Sequence, residues 1–246
     1  METATSFKVS IQAGWDDCPH LTEASKREML AATPPYLRDS RSKGIPDLGA
    51  GAIYPIAQED YTTDRKPDPD WPRAFGLDVG WNESAAVWIA FDRESSIAIA
   101  YDEYFRGHAE PEVHAAAIKS KGAWIPGVVD PAAAGSSQID GRVVLEVYRE
   151  LGLELTEADN AVTAGTTKVW NLLSTGQLKI ASHCKHLLKQ MKMYRRDEKG
   201  RIVKKEDHGP DALRYCVMSG PDVMRTRPAK LSLDNWLGGT TAGWMG

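Results

Sequence analysis

The chain has 246 residues, 42% of them hydrophobic and 26% charged, with a formal net charge of −4. That is enough for one large domain, or one domain with an appendage, around a real core. Its three widely spaced cysteines, Cys18, Cys184 and Cys216, exclude a disulfide framework and a paired-cysteine zinc site, and no apolar run nears the ~20 residues of a membrane span. The opening METATSFKVS lacks the apolar segment of a secretory signal, so a reducing cytosol is the simplest compartment.

Residues 7–11, FKVSI, alternate like a short strand. Thr22 is placed as the N-cap of a helix over 23–32, and the prolines of PPY open a second short helix, YLRDSRSK. GIPDLGAGAIYP reads as loop and short strand, and DYTTDRKPDPDWP, polar and rich in proline, as a linker. After Trp71 come three strand-like runs, RAFGLDVG, SAAVWIAFD and SIAIAYDEYF, joined by connections short enough for antiparallel neighbours. A helix over 111–119 and a fourth strand, WIPGVVD, follow. Next come an amphipathic helix over 139–151, a weak strand at LELTEA and a helix through KVWNLLSTG. QLKIAS is a further strand, HCKHLLKQMKMY a helix, RRDEKGRIVKK a hairpin turning at Gly200, and HGPDALRYCVMSG the last helix before a loose tail. The expected fold class is α/β: a mixed sheet of three antiparallel strands followed by crossover strands, flanked by helices.

The net charge hides an asymmetry. Between Lys168 and Lys205 eleven basic residues face only Asp197 and Glu198, about +9, so the remainder carries about −13. Such a block suits a polyanion groove beside an acidic metal site, and equally a solvated helix face. The acids are more pointed. Asp78 is set in the apolar run FGLDVG, where a charge is costly unless something binds it. Asp130 ends the fourth strand, which can lie beside the first, and Asp211 opens the last helix with Asp207 four residues earlier. Converging carboxylates repel one another, and a hard divalent ion, Mg²⁺ or Mn²⁺, removes that repulsion. Taken singly, each acid also fits a structural role: backbone acceptor, strand-end turn residue, or helix cap, with Asp207 the plainest cap. His208, beside Asp207, is a candidate acid/base group. His183, Cys184 and His186 are too close together for a zinc site. The tryptophans are expected in the core and interfaces rather than as a base-stacking platform.

The ordered set GWDDCPHL, PPYLRDSRSKGIPDLGAGAIYP, FGLDVGWN, YDEYF, VVDPAA and DHGPDALRY resembles the C-terminal nuclease part of the large terminase subunit of tailed bacteriophages or prophages, over roughly residues 7 to 220. The resemblance implies an RNase H-like fold and a two-metal-ion endonuclease using Mg²⁺ or Mn²⁺ on concatemeric double-stranded viral DNA during packaging. It implies Asp78, Asp130 and Asp211 as catalytic metal ligands, with Asp207 a fourth and Glu103 a weaker candidate. Lys185, Lys189, Lys192, Arg195, Arg196, Arg201, Lys204 and Lys205 are the expected DNA-backbone contacts. A hairpin at 194–205 would cover or expose the site, and neutralising Lys204 and Lys205 is expected to weaken DNA binding.

Residues 1–70 are then a connecting segment, 71–220 the nuclease domain and 221–246 a flexible tail. The chain departs from full-length terminases in having no P-loop and so no ATP site, as in an excised domain or a split gene product. The expected partners are double-stranded DNA, an ATPase motor domain, the portal protein and the small terminase subunit, in the host cytoplasm, with no membrane. Two rivals stand: a non-catalytic docking or DNA-binding module of the packaging machine, and an actin- or sugar-kinase-like phosphotransferase, which needs a second glycine-rich phosphate loop that the core lacks.

Overall fold

The computed structural model describes residues 13–33, 38–43, 51–134, 143–197 and 200–228. Its frame is a seven-stranded mixed sheet. Strands β2 (Arg73–Asp78), β3 (Ser84–Asp92) and β4 (Ile97–Arg106) form the antiparallel meander expected from their short connections. The remaining strands are β1 (Thr62–Thr63), β5 (Gly127–Val129), β6 (Leu155–Glu157) and β7 (Leu178–Ala181). β5 pairs in parallel with β2, and β6 with β5. On the other side β7 pairs in parallel with β4 and takes β1 as the edge, giving the order β1-β7-β4-β3-β2-β5-β6.

The linker reading of the 60–72 stretch needs correction. The β-branched pair Thr62–Thr63 forms β1, and Tyr61 is buried in the core just before it.

Helices cover both faces, as parallel strands require. Near the start lie α1 (Glu23–Ala32), capped by Thr22 as expected, α2 (Arg38–Lys43) and α3 (Gln58–Tyr61). One face of the sheet packs α4 (Pro111–Gly122) and α5 (Val144–Glu150) over Phe75, Leu77 and Trp88. The opposite face packs α6 (Val162–Ser174), α7 (Lys185–Met193) and α8 (His208–Val223) over Ala74, Val87, Ile89 and Ile180.

Some boundaries shift from the expected ones. α5 begins at Val144, and residues 139–142 of its expected start lie outside the described residues, as does the 7–11 strand. α6 begins six residues before KVWNLLSTG, at Val162. The hairpin after α7 is present as an Arg196–Ile202 bridge with Gly200 at φ 75°. Its residues 198 and 199, and those after 228, lie outside the described residues. α8 runs past Gly220 through Pro221, and Arg225 then bridges back to Arg73.

Alternation along β2 sends Phe75 and Leu77 to one face and Ala74, Gly76 and Asp78 to the other. Gly76 is where α8 lies closest to the sheet. A Cβ there would sit 1.9 Å from the Ala212 carbonyl oxygen, so only glycine lets the helix backbone rest on β2. That contact brings the first turn of α8 against the end of β2.

Candidate metal centre and its surroundings

Asp78 closes β2 rather than lying within it, opposite Ala85 of β3. Its Oδ2 is 2.7 Å from Nδ1 of His208, the first residue of α8. Asp130 follows β5, and its backbone N–H donates to the Leu77 carbonyl, so parallel pairing sets it beside Asp78. Asp211, in the first turn of α8, is 4% exposed.

The three acids share one electrostatic neighbourhood. Burial pushes the Asp78 carboxyl above its ordinary value, and the Asp211 and Asp130 charges push the same way, opposed by the His208 hydrogen bond. Tyr215, one turn along α8, is raised mainly by burial and further by all three carboxylates. His208 in turn holds its proton to higher pH than usual, chiefly through its hydrogen bond to Asp78, with Asp207 and Glu83 contributing.

Asp211 is heavily supported. Its Oδ1 accepts from Tyr194 Oη at 2.9 Å and from Arg214 at 3.1 and 3.3 Å. The buried Arg214 also donates to Asn160 Oδ1, and Asn160 Nδ2 donates to Asp130 Oδ1 at 3.3 Å. A polar chain therefore runs from Asp211 through Arg214 and Asn160 to Asp130. Nothing in the local sequence around Asn160 announces this role. Arg214 carried a usable signal, lying three residues after Asp211 on the same helix face.

Asp207 occupies the N-cap position of α8, yet its side chain makes no capping bond. The capping role expected of it is therefore corrected: the carboxylate faces Lys204, whose Nζ lies 3.0 Å from both Asp207 Oδ2 and Asp211 Oδ2. Burial works against charge on Lys204, but Asp211 and Asp207 outweigh it and raise its pKa.

Glu103 lies apart from this group. Its two oxygens accept the backbone N–H groups of His186 and Leu187, capping α7 from β4. Glu83, unremarked in the sequence, accepts from Gln190 at 2.6 Å, and Gln190 accepts from the Gly209 N–H. That relay ties the β2–β3 turn and α7 to the start of α8. His183, Cys184 and His186 diverge: His183 pairs with the Tyr101 carbonyl, Cys184 is buried with its thiol pushed up to about 12, and His186 stacks on Phe105 at 4.1 Å.

The basic residues fall in two places. On α7, Lys185 and Lys189 are exposed and Lys192 is half-buried, while Leu187, Leu188 and Met191 face the core. Lys189 pairs with Glu206. On the hairpin, Arg195 bridges Ala52, Arg196 donates to the Gly200 carbonyl, Arg201 pairs with Asp197, and Lys205 is exposed. Of the eight, Lys204 is the one whose amine reaches the acids.

Buried carboxylates with hard oxygen donors fit a divalent ion of the Mg²⁺ or Mn²⁺ kind. Among the described residues, though, no three His, Cys, Asp or Glu side chains close into a finished ion cage. His208 and Lys204 now hold the inward-facing oxygens of Asp78 and of the Asp207–Asp211 pair.

No protein-family model matches the chain. It is 26% identical over 212 residues to the large terminase subunit of Enterobacteria phage LP7, and equally to that of Salmonella phage P22. The match takes in 82% of this chain and 44% and 42% of theirs, so the chain spans less than half the length of these relatives. The nuclease domain of the P22 large terminase superposes with a TM-score of 0.65 at 23% identity, over 72% of this chain and 96% of that domain. The large terminase nuclease of the thermophilic phage G20c, solved with bound magnesium, gives 0.50 at 15% identity, over 68% and 97%. The chain is thus similar to large terminase subunits over most of its own length, and its mixed sheet with flanking helices shares the fold of the P22 nuclease domain.

Proposed function

We propose that the chain is a divalent-metal-dependent endonuclease that cuts concatemeric double-stranded DNA during viral genome packaging. One observation carries this reading: carboxylates from the ends of two adjacent parallel strands and from the first turn of α8 meet in a single electrostatic neighbourhood. The homology to large terminase subunits supports the substrate. We place the folded unit from about residue 51 onward, because Tyr54, Tyr61 and β1 all join the sheet and core.

Asp78, Asp130 and Asp211 would hold two ions, with Asp207 as a further ligand once Lys204 withdraws. When bound, such ions activate the attacking water and neutralise the leaving 3′ oxygen. The chain's own residues do the rest. Arg214 and Tyr194 fix the Asp211 carboxylate, and Asn160 fixes Asp130. His208 holds Asp78. Lysines and arginines of α7 and the hairpin would hold phosphates without reading bases, giving strong salt dependence and little sequence preference. An ATPase motor would deliver the DNA, with portal and small terminase subunit as further partners in the host cytoplasm. None of the described helices is long and apolar enough to cross a membrane.

The Lys204 bridge between Asp207 and Asp211 favours a second reading, a silenced nuclease retained as a docking module. Supercoiled-plasmid cleavage at low salt separates the two. Nicking and linearisation in Mg²⁺ or Mn²⁺, absent in EDTA, is the expected result; intact plasmid under every metal would leave a silenced nuclease or a docking module, which metal-binding calorimetry separates.

A further inference from the structure

Trp81 is 64% exposed, the most exposed of the large apolar side chains among the described residues. An indole left in water forgoes much of the benefit of burial, and the usual remedy is to fold it inward, as Trp88 is folded. Here the surrounding backbone is braced to keep it out. The Trp81 carbonyl accepts the His108 N–H at 2.8 Å, and the His108 ring stands edge-on to the indole at 5.7 Å. His108 adopts φ 52°, a conformation costly for a side-chain-bearing residue. A Cβ at Gly107 would lie 1.9 Å from the Asn82 carbonyl oxygen, so the two loops touch backbone to backbone. Ser84 Oγ bonds both the N–H and the carbonyl of Gly80, closing the turn from the other side.

This braced turn lies against the acid cluster. It begins directly after Asp78, and a Cβ on Gly80 would lie 3.1 Å from Cε1 of His208, the residue that holds Asp78. The exposed residues of the facing stretch are Arg106, His108 and Glu110. An outward indole on the turn that leaves an acidic site is placed to touch a substrate held there.

We propose that Trp81 packs its ring face against a nucleotide flanking the scissile phosphate and so registers the DNA over the carboxylates. This inference rests on the nuclease reading and adds a positioning contact to it. A protein partner for the same indole is the competing occupant, and the turn's place directly after Asp78, with Gly80 against His208, favours DNA.

The test is equilibrium binding of a fluorescein-labelled duplex in Ca²⁺, across a salt series, for wild type, Trp81→Ala and Trp81→Phe, with plasmid cutting in Mg²⁺ measured alongside. Trp81→Ala should weaken binding several-fold, the loss of one aromatic ring packed on a deoxyribose, and Trp81→Phe should keep most of the affinity. The slope of affinity against salt should not change, because no phosphate contact is lost. Equal affinity for wild type and Trp81→Ala would overturn the inference and leave the indole to a protein partner. A slope that falls in Trp81→Ala would also overturn it. Wild type that neither binds nor cuts duplex would instead sink the nuclease reading itself, so the two failures are distinguishable.

Discussion

At the residue scale, Lys204 has the most to explain. Its side chain is 72% exposed along its length, yet its amine lies between two buried carboxylates. A basic residue read from sequence as a DNA contact therefore also acts as a counter-charge for Asp207 and Asp211. A divalent ion held by these acids would compete with this amine for the same oxygens. Lys204→Met should lower the stability of the metal-free protein by about 1 kcal/mol, since the stem is solvated, or about 2–4 °C in melting temperature. Mg²⁺ should then raise the melting temperature of the variant more than that of wild type. Thermal unfolding in EDTA and in Mg²⁺ measures both shifts, and an equal Mg²⁺ effect in the two proteins would refute the competition. Asp211 illustrates what residue types alone conceal. Its place in the first turn of a helix was readable, as was Arg214 three residues on, but its partner Tyr194 is set by how α7 and α8 dock.

At the scale of elements, the sheet brings the acids together by pairing rather than by proximity in sequence. β2 and β5 are separated by the whole meander and α4, and their parallel register puts Leu77 beside Val129. The meander's turns need their own fastening. Asp92 ends β3, and its carboxylate accepts from Ser95 Oγ, the Glu94 N–H and Arg65. The Ser95 bond, helped by Arg65 and the backbone and opposed by burial, brings its pKa down from 3.8 to about 2. A depressed acid stabilises the fold fully above its unfolded value and loses that contribution as pH falls through the folded one. Asp92→Asn should therefore be less stable than wild type at neutral pH, with the gap closing between about pH 4 and pH 2. Urea midpoints across that range provide the check, and a gap that stays constant would contradict it.

At the scale of the whole molecule, much of the fold was legible because its signals are local. Apolar strand-like runs marked β3 and β4, short polar breaks marked antiparallel turns, and Thr22 marked the start of α1. The neighbourhood of Asp78, Asp130 and Asp211 was legible because each ends or begins an element, and crossover topology brings such ends to one edge. Other features rest on tertiary partners. β1 is two residues in a polar stretch, visible only beside β7. Glu103 looks like one more acid until α7 arrives to be capped. Asp207 has the sequence position of a cap, but Lys204 takes its carboxylate. Trp81 belongs to a residue type that is usually buried, and only the braced turn turns it outward.

The central claim is that the three carboxylates act as one metal-dependent cutting site. Plasmid cleavage in Mg²⁺ and Mn²⁺ by Asp78→Asn, Asp130→Asn and Asp211→Asn, each verified as folded by circular dichroism, tests it most directly. All three variants should fall to the EDTA background while wild type nicks and linearises the plasmid. A folded Asp130→Asn that cuts at the wild-type rate would contradict the account, because the half-buried acid at the end of β5 would then have no part in the chemistry.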